Sequence, residues 1–346
     1  MNTLILPWDW HRVVIEPWSS GASVYGWILL MGFLINLTCG LIGNYLILRR
    51  MALIGDAISH SVLPGMAIAF LVAGAWQLPI ATEGTPSLVP EGLPHGMAMV
   101  IGAGIAGIVT SLIIEWIHQK SRIKQDAAIG ITFSTLFALG VVIISLYADK
   151  VDLDADCVLH GEIAFIPLEP FLTIGTHPIA PAPVVQMGVV AILTALGIGL
   201  FYKELLVSSF DPGLAHATGI RADWIHYGLM IWLSVVVVSA FESVGAILVI
   251  AMLILPGASA SLLSQRLHIM LAWSSLHALL SSLIGLHLAI WWDTSIAGSM
   301  VVAGSGLFFL CWLISPSQGP FWRKLRRKPS TDTKAAATQP LSKTYS

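Results

Sequence analysis

Nine stretches of mostly apolar residues, each long enough to form a membrane-spanning helix, constrain the fold of this chain more than any other feature. A helix needs roughly 20 such residues to cross a bilayer. Only 10% of the 346 residues are charged, whereas about 25% of a typical soluble domain is charged. The sequence therefore predicts an all-α, polytopic membrane protein with about nine transmembrane helices, within a range of about eight to ten. The predicted spans are about 22–48, 52–75, 97–118, 127–148, 184–202, 224–242, 244–263, 270–291 and 295–315.

Lysine and arginine fall almost entirely on one side of this predicted topology. If the N-terminus is outside, 15 of the 17 basic residues lie in the inner loops and the tail, and only Arg12 and Lys150 lie outside. Cytoplasmic loops of membrane proteins carry an excess of these two residue types. The sequence therefore predicts an outside N-terminus and a cytoplasmic C-terminus.

The same pattern divides the chain into three regions. Residues 1–21 form a predicted outer-face segment, rich in the tryptophan that is typical of membrane interfaces. Residues 22–315 form one predicted transmembrane domain. Residues 316–346 form a predicted cytoplasmic tail, whose basic first half suits anionic lipid and whose polar end is typical of disordered segments.

The sequence lacks the usual motifs of nucleotide-binding and catalytic sites. It contains no GxxxxGK[ST], HExxH or GxSxG pattern. Its three cysteines are far apart and form no CxxC pair, so they are more typical of apolar packing than of a zinc site or a disulfide. We therefore expect neither an enzyme nor a permanently bound cofactor, and any ATP must be used by a partner.

The strongest candidate site is the stretch GDAISHSVLPG at 55–65, where Asp56 and His60 lie four residues apart. Burying an aspartate in a bilayer costs about 3 kcal/mol, so a compensating role is expected. Residues at i and i+4 share a helix face with Cβ atoms about 5–6 Å apart. A carboxylate and an imidazole at that spacing can reach one zinc, manganese or iron ion. The alternative is a structural hydrogen bond, with His60 donating to Asp56 or to a neighbouring helix.

A Leu-Pro-Gly sequence occurs in two predicted spans, as Pro64-Gly65 and as Pro256-Gly257. Proline inside a membrane helix favours a kink that frees backbone carbonyls. We therefore predict helix kinks at both places. The surrounding sequences, SVLPGMAIA and LILPGASAS, are either an inverted repeat of the kind found in transporters or a chance similarity.

Three further ionisable residues are weaker candidates for an ion path or gate. His277 and His287 lie ten residues apart in the eighth predicted span, although such histidines more often make hydrogen bonds between helices. Glu242 lies near the outer end of its span and either gates entry or faces water. The acidic stretch 149–162 lacks the spacing of a calcium loop and is more typical of a solvated loop.

The inner connection at 203–224 contains the signals of a short helix. Asp211 suits the N-cap, Pro212 suits the first helical position, and Gly219 suits the stop. A capped short helix between two spans is a docking element for a soluble partner, and an ordinary loop with a turn is the alternative. The residues assigned to docking are Asp211, Pro212, Gly213, Leu214, Ala215 and Gly219.

Three stretches, taken in order, resemble a known family. They are LRRMALIGDAISHSVLPGMAIAF at 48–70, SFDPGLAHATGI at 209–220 and VSAFESVGAILVIAMLILPGASASLL at 238–263. The chain resembles the permease subunits of ATP-driven importers of zinc, manganese and iron, which work with cluster-type metal-binding proteins. With the span pattern, the resemblance covers most of residues 22–315.

The resemblance implies roles for residues and for partners. Asp56 and His60 match the metal-contacting pair, and the helix from Asp211 to Gly219 matches the coupling helix that fits into the ATPase subunit. The stretch VDLDADCVLHGEIAF is similar to the manganese and iron branch. The implied partners are a cytoplasmic ATP-binding subunit, an extracytoplasmic metal-binding protein, a second permease copy or homologous permease, and membrane lipid, with no nucleic acid. The implied location is the bacterial inner membrane.

Two other functions compete with this interpretation. An independent, ion-coupled secondary metal transporter would use Asp56 as a proton or sodium site, but the docking signals argue against it. An intramembrane metalloenzyme would need further ligands and a catalytic base, and the sequence has no HExxH.

Overall fold

A computed structural model describes residues 9–51, 53–76, 95–147, 163–174, 177–315 and 319. Within these ranges the chain is almost entirely helical, as predicted. The α-helices are α1 (Ala22–Leu48), α2 (Ile54–Trp76), α3 (His95–Lys120), α4 (Gln125–Tyr147), α5 (Ala182–Leu200), α6 (Tyr202–Phe210), α7 (Pro212–Ala217), α8 (Ala222–Val244), α9 (Ala246–Leu263), α10 (Leu267–Trp292) and α11 (Ile296–Ile314).

Nine of these helices lie at the nine predicted spans, and α6 and α7 lie in the predicted inner connection. By length and composition, seven of the helices in the described ranges can cross a membrane, and α9 is a shorter apolar helix. The seven are α1, α3, α4, α5, α8, α10 and α11. The chain is therefore a polytopic, helical membrane protein.

Short elements precede α1 and lie between α4 and α5. One helical turn runs over His11–Ile15, a second over Glu16–Trp18 and a third over Ile163–Leu168. A two-stranded antiparallel hairpin follows the third turn, with β1 at Phe171–Ile174 and β2 at His177–Pro181. The all-α fold class is unaffected by this hairpin, which the sequence does not predict because strands of four and five residues are too short for a clear alternating pattern.

The buried core is centred on α1, which packs against α9, α10 and α5. One face of α1 is fully buried and includes Ile35, Cys39, Ile42 and Tyr45. Cys39 therefore has the packing role that the sequence predicts. Cys311 is half-buried with a free thiol, and Cys157 lies outside the described residues.

Helix α1 crosses α9 at very close range through small residues. A methyl group at Gly43 would overlap the backbone carbonyl of Leu253, and one at Gly40 would lie 2.9 Å from the Cβ of Pro256. Gly257 faces the same crossing from the other side. Since lipid offers no hydrophobic driving force between helices, close packing of small residues is a principal way of holding them together.

Helix α2 packs against α3 and α4 in a similar way. A methyl group at Gly65 would overlap Gly102 of α3, and one at Gly140 of α4 would lie 2.9 Å from the ring of Pro64. Helices α2 and α9 both continue through their prolines, and the kinks at Pro64-Gly65 and Pro256-Gly257 stay predictions. The two Leu-Pro-Gly sequences serve as close helix contacts in this structure.

Candidate metal pair and docking helix

Asp56 and His60 lie on one face at the start of α2. The helix begins at Ile54, so Asp56 is in its first turn and His60 is one turn further on. The Nε2 atom of His60 lies 3.4 Å from the Oδ1 atom of Asp56. The predicted helix and shared face are therefore confirmed, and the arrangement directs one nitrogen and one oxygen donor to the same point.

The imidazole of His60 rests against aromatic rings of α4. Its ring centroid lies 5.3 Å from that of Phe133 and 6.0 Å from that of Phe137. These rings limit rotation of the imidazole and exclude water from one side of it. The side chains of His60 and Asp56 are 25% and 43% exposed, respectively, so the pair is still accessible from its open side.

The pair is incomplete as a metal site. Among the described residues, no group of three or more histidine, cysteine, aspartate or glutamate side chains is placed to hold a metal ion. A closed zinc site has four ligands, whereas two protein ligands leave positions open for water or for donors of another molecule. Such a pair suits an ion that must arrive and leave rather than one that stays.

His277 of α10 makes an interhelical hydrogen bond. Its Nε2 atom donates to the carbonyl oxygen of Gly304 in α11 over 3.1 Å, and the residue is buried. This is the alternative that the sequence left open for this residue. The Nδ1 atom is buried without a hydrogen-bond partner among the described residues. A contribution to the ion path stays a prediction.

His287 has both ring nitrogens engaged. Its Nδ1 atom donates to the carbonyl of Leu283 over 2.8 Å, and its Nε2 atom accepts from the indole of Trp18 over 3.2 Å. The indole also stacks on the imidazole at 5.9 Å. In this arrangement His287 has no lone pair available to a metal. The side chain of Glu242 lies outside the described part of the chain, as does the acidic stretch 149–162.

The short helix α7 has the capped ends that the sequence predicts. At its start, the Oδ1 atom of Asp211 accepts a hydrogen bond from the backbone N–H of Leu214 over 3.0 Å, with Pro212 at the first position. At its end, Gly219 has a φ of +81°. The backbone N–H of Ile220 donates to the carbonyl of Ala215 over 2.9 Å, which is the bond of a glycine-terminated helix.

The two sides of α7 differ sharply in exposure. Leu214 is exposed, whereas Ala215 is fully buried against the rest of the chain. Ala215 therefore packs the helix against the rest of the chain, and Leu214 is the apolar side chain that is directed outwards. Docking of a partner stays a prediction, and the outward surface includes Leu214 and not Ala215.

The model of the ABC 3 transport family matches residues 23–315. The chain belongs to the ABC 3 transport family. The resemblance inferred from the three sequence stretches is thereby confirmed.

Individual members of the ABC 3 family match over most of the chain. The manganese transport system membrane protein MntD of Bacillus subtilis is 40% identical over 304 residues, which cover 88% of this chain and 96% of that protein. The zinc transport system membrane protein TroD of Treponema pallidum is 40% identical over 292 residues, 84% of this chain and 74% of that protein. The solved structure of PsaBC from Streptococcus pneumoniae in complex with Fab has a TM-score of 0.69 at 31% identity, covering 92% of this chain and 99% of that one.

Beside α7 of this ABC 3 chain lies a largely buried polar network that was not predicted from the sequence. Arg49, at the end of α1, donates from Nη2 to Ser208 over 2.9 Å and from Nε to Ser209 over 3.2 Å. Its Nη1 atom donates to Nδ1 of His226 over 3.0 Å, and Nε2 of His226 lies 3.0 Å from Oε2 of Glu115. Burial lowers the pKa of the Arg49 guanidinium, which nonetheless stays charged.

A signal for this network was present in the sequence. Glu115 and His226 are ionisable residues inside the predicted spans 97–118 and 224–242, and such residues are functional candidates by default. In the predicted topology, Arg49 is only one of the positive charges of an inner loop. Its role depends on a partner 177 residues away, which no local pattern reveals.

Proposed function

We propose that this chain is the permease subunit of an ATP-driven importer of a divalent transition metal, with manganese, zinc or iron as cargo. The observation that carries the proposal is the Asp56–His60 pair, with its donor atoms 3.4 Å apart on a helix of a polytopic membrane protein. The names of relatives support the class of cargo, since MntD is named for manganese and TroD for zinc.

The pair handles the ion through two unlike donors. A carboxylate oxygen and an imidazole nitrogen accept several first-row divalent ions, which fits a family whose members are named for different metals. Both groups must be deprotonated to bind, so protons compete with the cargo. The ion leaves readily because the pair alone does not fill its coordination sphere.

A second permease copy is the natural source of further donors. Asp56 is nearly half exposed, although charged side chains inside membrane proteins usually face a partner group or a water-filled cavity. If two copies meet across this face of α2, their pairs together supply four donors around one path. We therefore propose that the pore lies between two permeases, either identical or homologous.

ATP is used by a separate cytoplasmic subunit in this proposal. The sequence contains no GxxxxGK[ST] motif, so hydrolysis requires a partner, and α7 presents Leu214 as an apolar contact for it. An extracytoplasmic protein delivers the metal to the opposite end of the helices. The assembly works in the bacterial inner membrane, and the permease itself catalyses no reaction.

Reconstitution tests this proposal directly. The permease is placed in proteoliposomes with an ATP-binding subunit and a metal-binding protein of the same transporter, and uptake of radioactive Mn²⁺ and Zn²⁺ is measured. We expect uptake that requires both ATP and the ATP-binding subunit. Uptake by the permease alone, driven by a proton or sodium gradient, would contradict the proposal and support the secondary transporter.

A further inference from the structure

The polar network around Arg49, largely buried, connects four helices at the end of the molecule where α7 lies. Arg49 terminates α1, Ser208 and Ser209 lie on α6, His226 lies in α8 and Glu115 lies in α3. The side chains of His226 and Glu115 are only 16% and 12% exposed. The network is therefore a largely buried feature in the wall of a cleft rather than a pairing of fully exposed charges.

The donor chemistry fixes the direction of each hydrogen bond. A guanidinium only donates, so Nδ1 of His226 must accept from Arg49 and carries no proton. The proton of the neutral ring is then on Nε2, which donates to the carboxylate of Glu115. Every hydrogen bond from Ser208 to Glu115 can therefore form at the same time. His226 joins the two halves of the network, since it accepts from Arg49 and donates to Glu115.

One end of this network is directly joined to the docking helix. Helix α6 ends at Phe210 and α7 begins at Pro212, with only Asp211 between them. Ser208 and Ser209, in the last turn of α6, hold the guanidinium of Arg49. A displacement of α7 by a bound partner therefore moves the two serines that accept hydrogen bonds from Arg49.

The other end of the network reaches the helix that carries the metal pair. Arg49 lies seven residues before Asp56, and two residues after Arg49 the N–H of Met51 donates to the carbonyl of Leu46 over 2.8 Å. In parallel, Glu115 lies on α3, whose Gly102 meets Gly65 of α2 at close range. Both routes end on α2.

A role in stability alone gives a weak account of these residues. Replacing a buried ion pair by well-packed apolar side chains is often neutral or stabilising. Buried polar groups of this kind are best attested where they fix one particular arrangement of elements. Here the arrangement that they fix is that of α6 relative to α1, α8 and α3.

We infer that Arg49, His226 and Glu115 are positioning residues that pass movement of the docking helix α7 to α2 and thereby set the geometry of the Asp56–His60 pair. This inference rests on the proposed function, because the movement comes from the ATP-binding subunit. None of the three residues has to touch the transported ion. Their effect is on how much metal moves for each ATP that the partner hydrolyses.

The variants that test this inference separate hydrogen bonding from packing at one position. In His226→Gln, the amide oxygen can accept from Arg49 and the amide nitrogen can donate to Glu115, so the link is kept. In His226→Leu, a side chain of similar size keeps the packing and removes both bonds. Arg49→Gln removes the positive charge that is hydrogen-bonded to α6. Arg50→Gln removes the same charge at the exposed neighbouring residue and is the control.

The measurement is the ratio of metal taken up to ATP hydrolysed by the complete transporter in proteoliposomes. We expect His226→Leu and Arg49→Gln to hydrolyse ATP while the ratio falls about tenfold, in line with the size of coupling energies between sites. We expect His226→Gln and Arg50→Gln to stay within about twofold of the unmodified protein.

Each outcome decides between specific claims. The inferred coupling through His226 is wrong if His226→Leu has the wild-type ratio of metal to ATP, or if His226→Gln lowers that ratio as much as His226→Leu does. In both cases, ATP-driven uptake by the unmodified protein still supports the proposed function. If the unmodified complex takes up no metal with ATP, the proposed function itself fails. Should His226→Leu not insert, the milder Ser208→Ala/Ser209→Ala variant decides, since a wild-type ratio in that protein also overturns the link.

Discussion

At the scale of single residues, the metal pair owes its geometry to local spacing and its environment to distant parts of the chain. The four-residue spacing of Asp56 and His60 alone predicts a shared helix face, and the 3.4 Å separation agrees. The rings of Phe133 and Phe137, which pack against His60, could not be predicted, because they approach from another helix. The network of Arg49 was missed for the same physical reason.

Removing either donor of the metal pair should abolish most uptake. Asp56→Asn keeps the size of the side chain and removes its charge, and His60→Ala removes the imidazole. We expect ATP-driven uptake, normalised to inserted protein, to fall at least about tenfold in each, since even indirect changes around a metal cost about 10- to 100-fold. His268→Ala, at an exposed histidine of α10, is the control. Near-normal uptake per inserted molecule in both variants would exclude a metal-binding role and leave the structural hydrogen bond as the role of the pair.

A single methyl group at Gly43 should destabilise the helix bundle. The added Cβ would overlap the carbonyl of Leu253 in α9, which is backbone and cannot rotate away. Overpacking of this kind typically costs about 1–3 kcal/mol. At Gly26 of the same helix, no atom of the described residues lies within 4 Å of an added Cβ. We expect Gly43→Ala to lower the melting temperature in detergent and Gly26→Ala to leave it unchanged, and equal melting temperatures would argue against a close α1–α9 crossing.

At the scale of elements, capping residues located helix ends more accurately than the apolar pattern did. Asp211, Pro212 and Gly219 mark both ends of α7, although the helix has only six residues. By contrast, the apolar run from 224 to 263 is nearly unbroken, and the division between α8 and α9 falls at Gly245, whose φ is +83°. The predicted spans 224–242 and 244–263 place this division two residues too early, at the polar Ser243, because the break itself depends on a backbone conformation that glycine adopts most readily.

A charge on the outward face of α7 should disconnect the ATP-binding subunit. Leu214 is exposed on this helix, and apolar anchors at an interface carry much of its binding energy. We expect Leu214→Lys to insert normally while co-purification of the ATP-binding subunit and ATP-driven uptake fall about tenfold. Ile123→Lys makes the same change at an exposed residue between α3 and α4 and should have little effect. Normal ATP-driven uptake by Leu214→Lys would remove the docking assignment.

At the scale of the whole molecule, the two ends of the helix bundle differ in their polar contacts. At one end, the segment before α1 is held to the end of α10 by Arg12 and Asp293, 3.8 Å apart, and by Trp18 and His287. At the other end lie Arg49 and the helix α7. The sequence predicts which elements share an end, because successive spans alternate in direction. Which end faces the cytoplasm follows only from the distribution of lysine and arginine.

Labelling of single cysteines tests that orientation. Glu169 lies in the predicted outer connection between α4 and α5, and Gln265 lies in the predicted inner connection between α9 and α10; both are exposed. Because basic residues concentrate on the cytoplasmic side, a cysteine at Glu169 should react in intact cells with a thiol reagent that cannot cross the membrane. A cysteine at Gln265 should react only after the membrane is permeabilised. The native Cys39, Cys157 and Cys311 are first replaced by alanine, so that each signal has one source. The reverse labelling pattern would place α7 outside the cell, where no ATP-binding subunit could reach it.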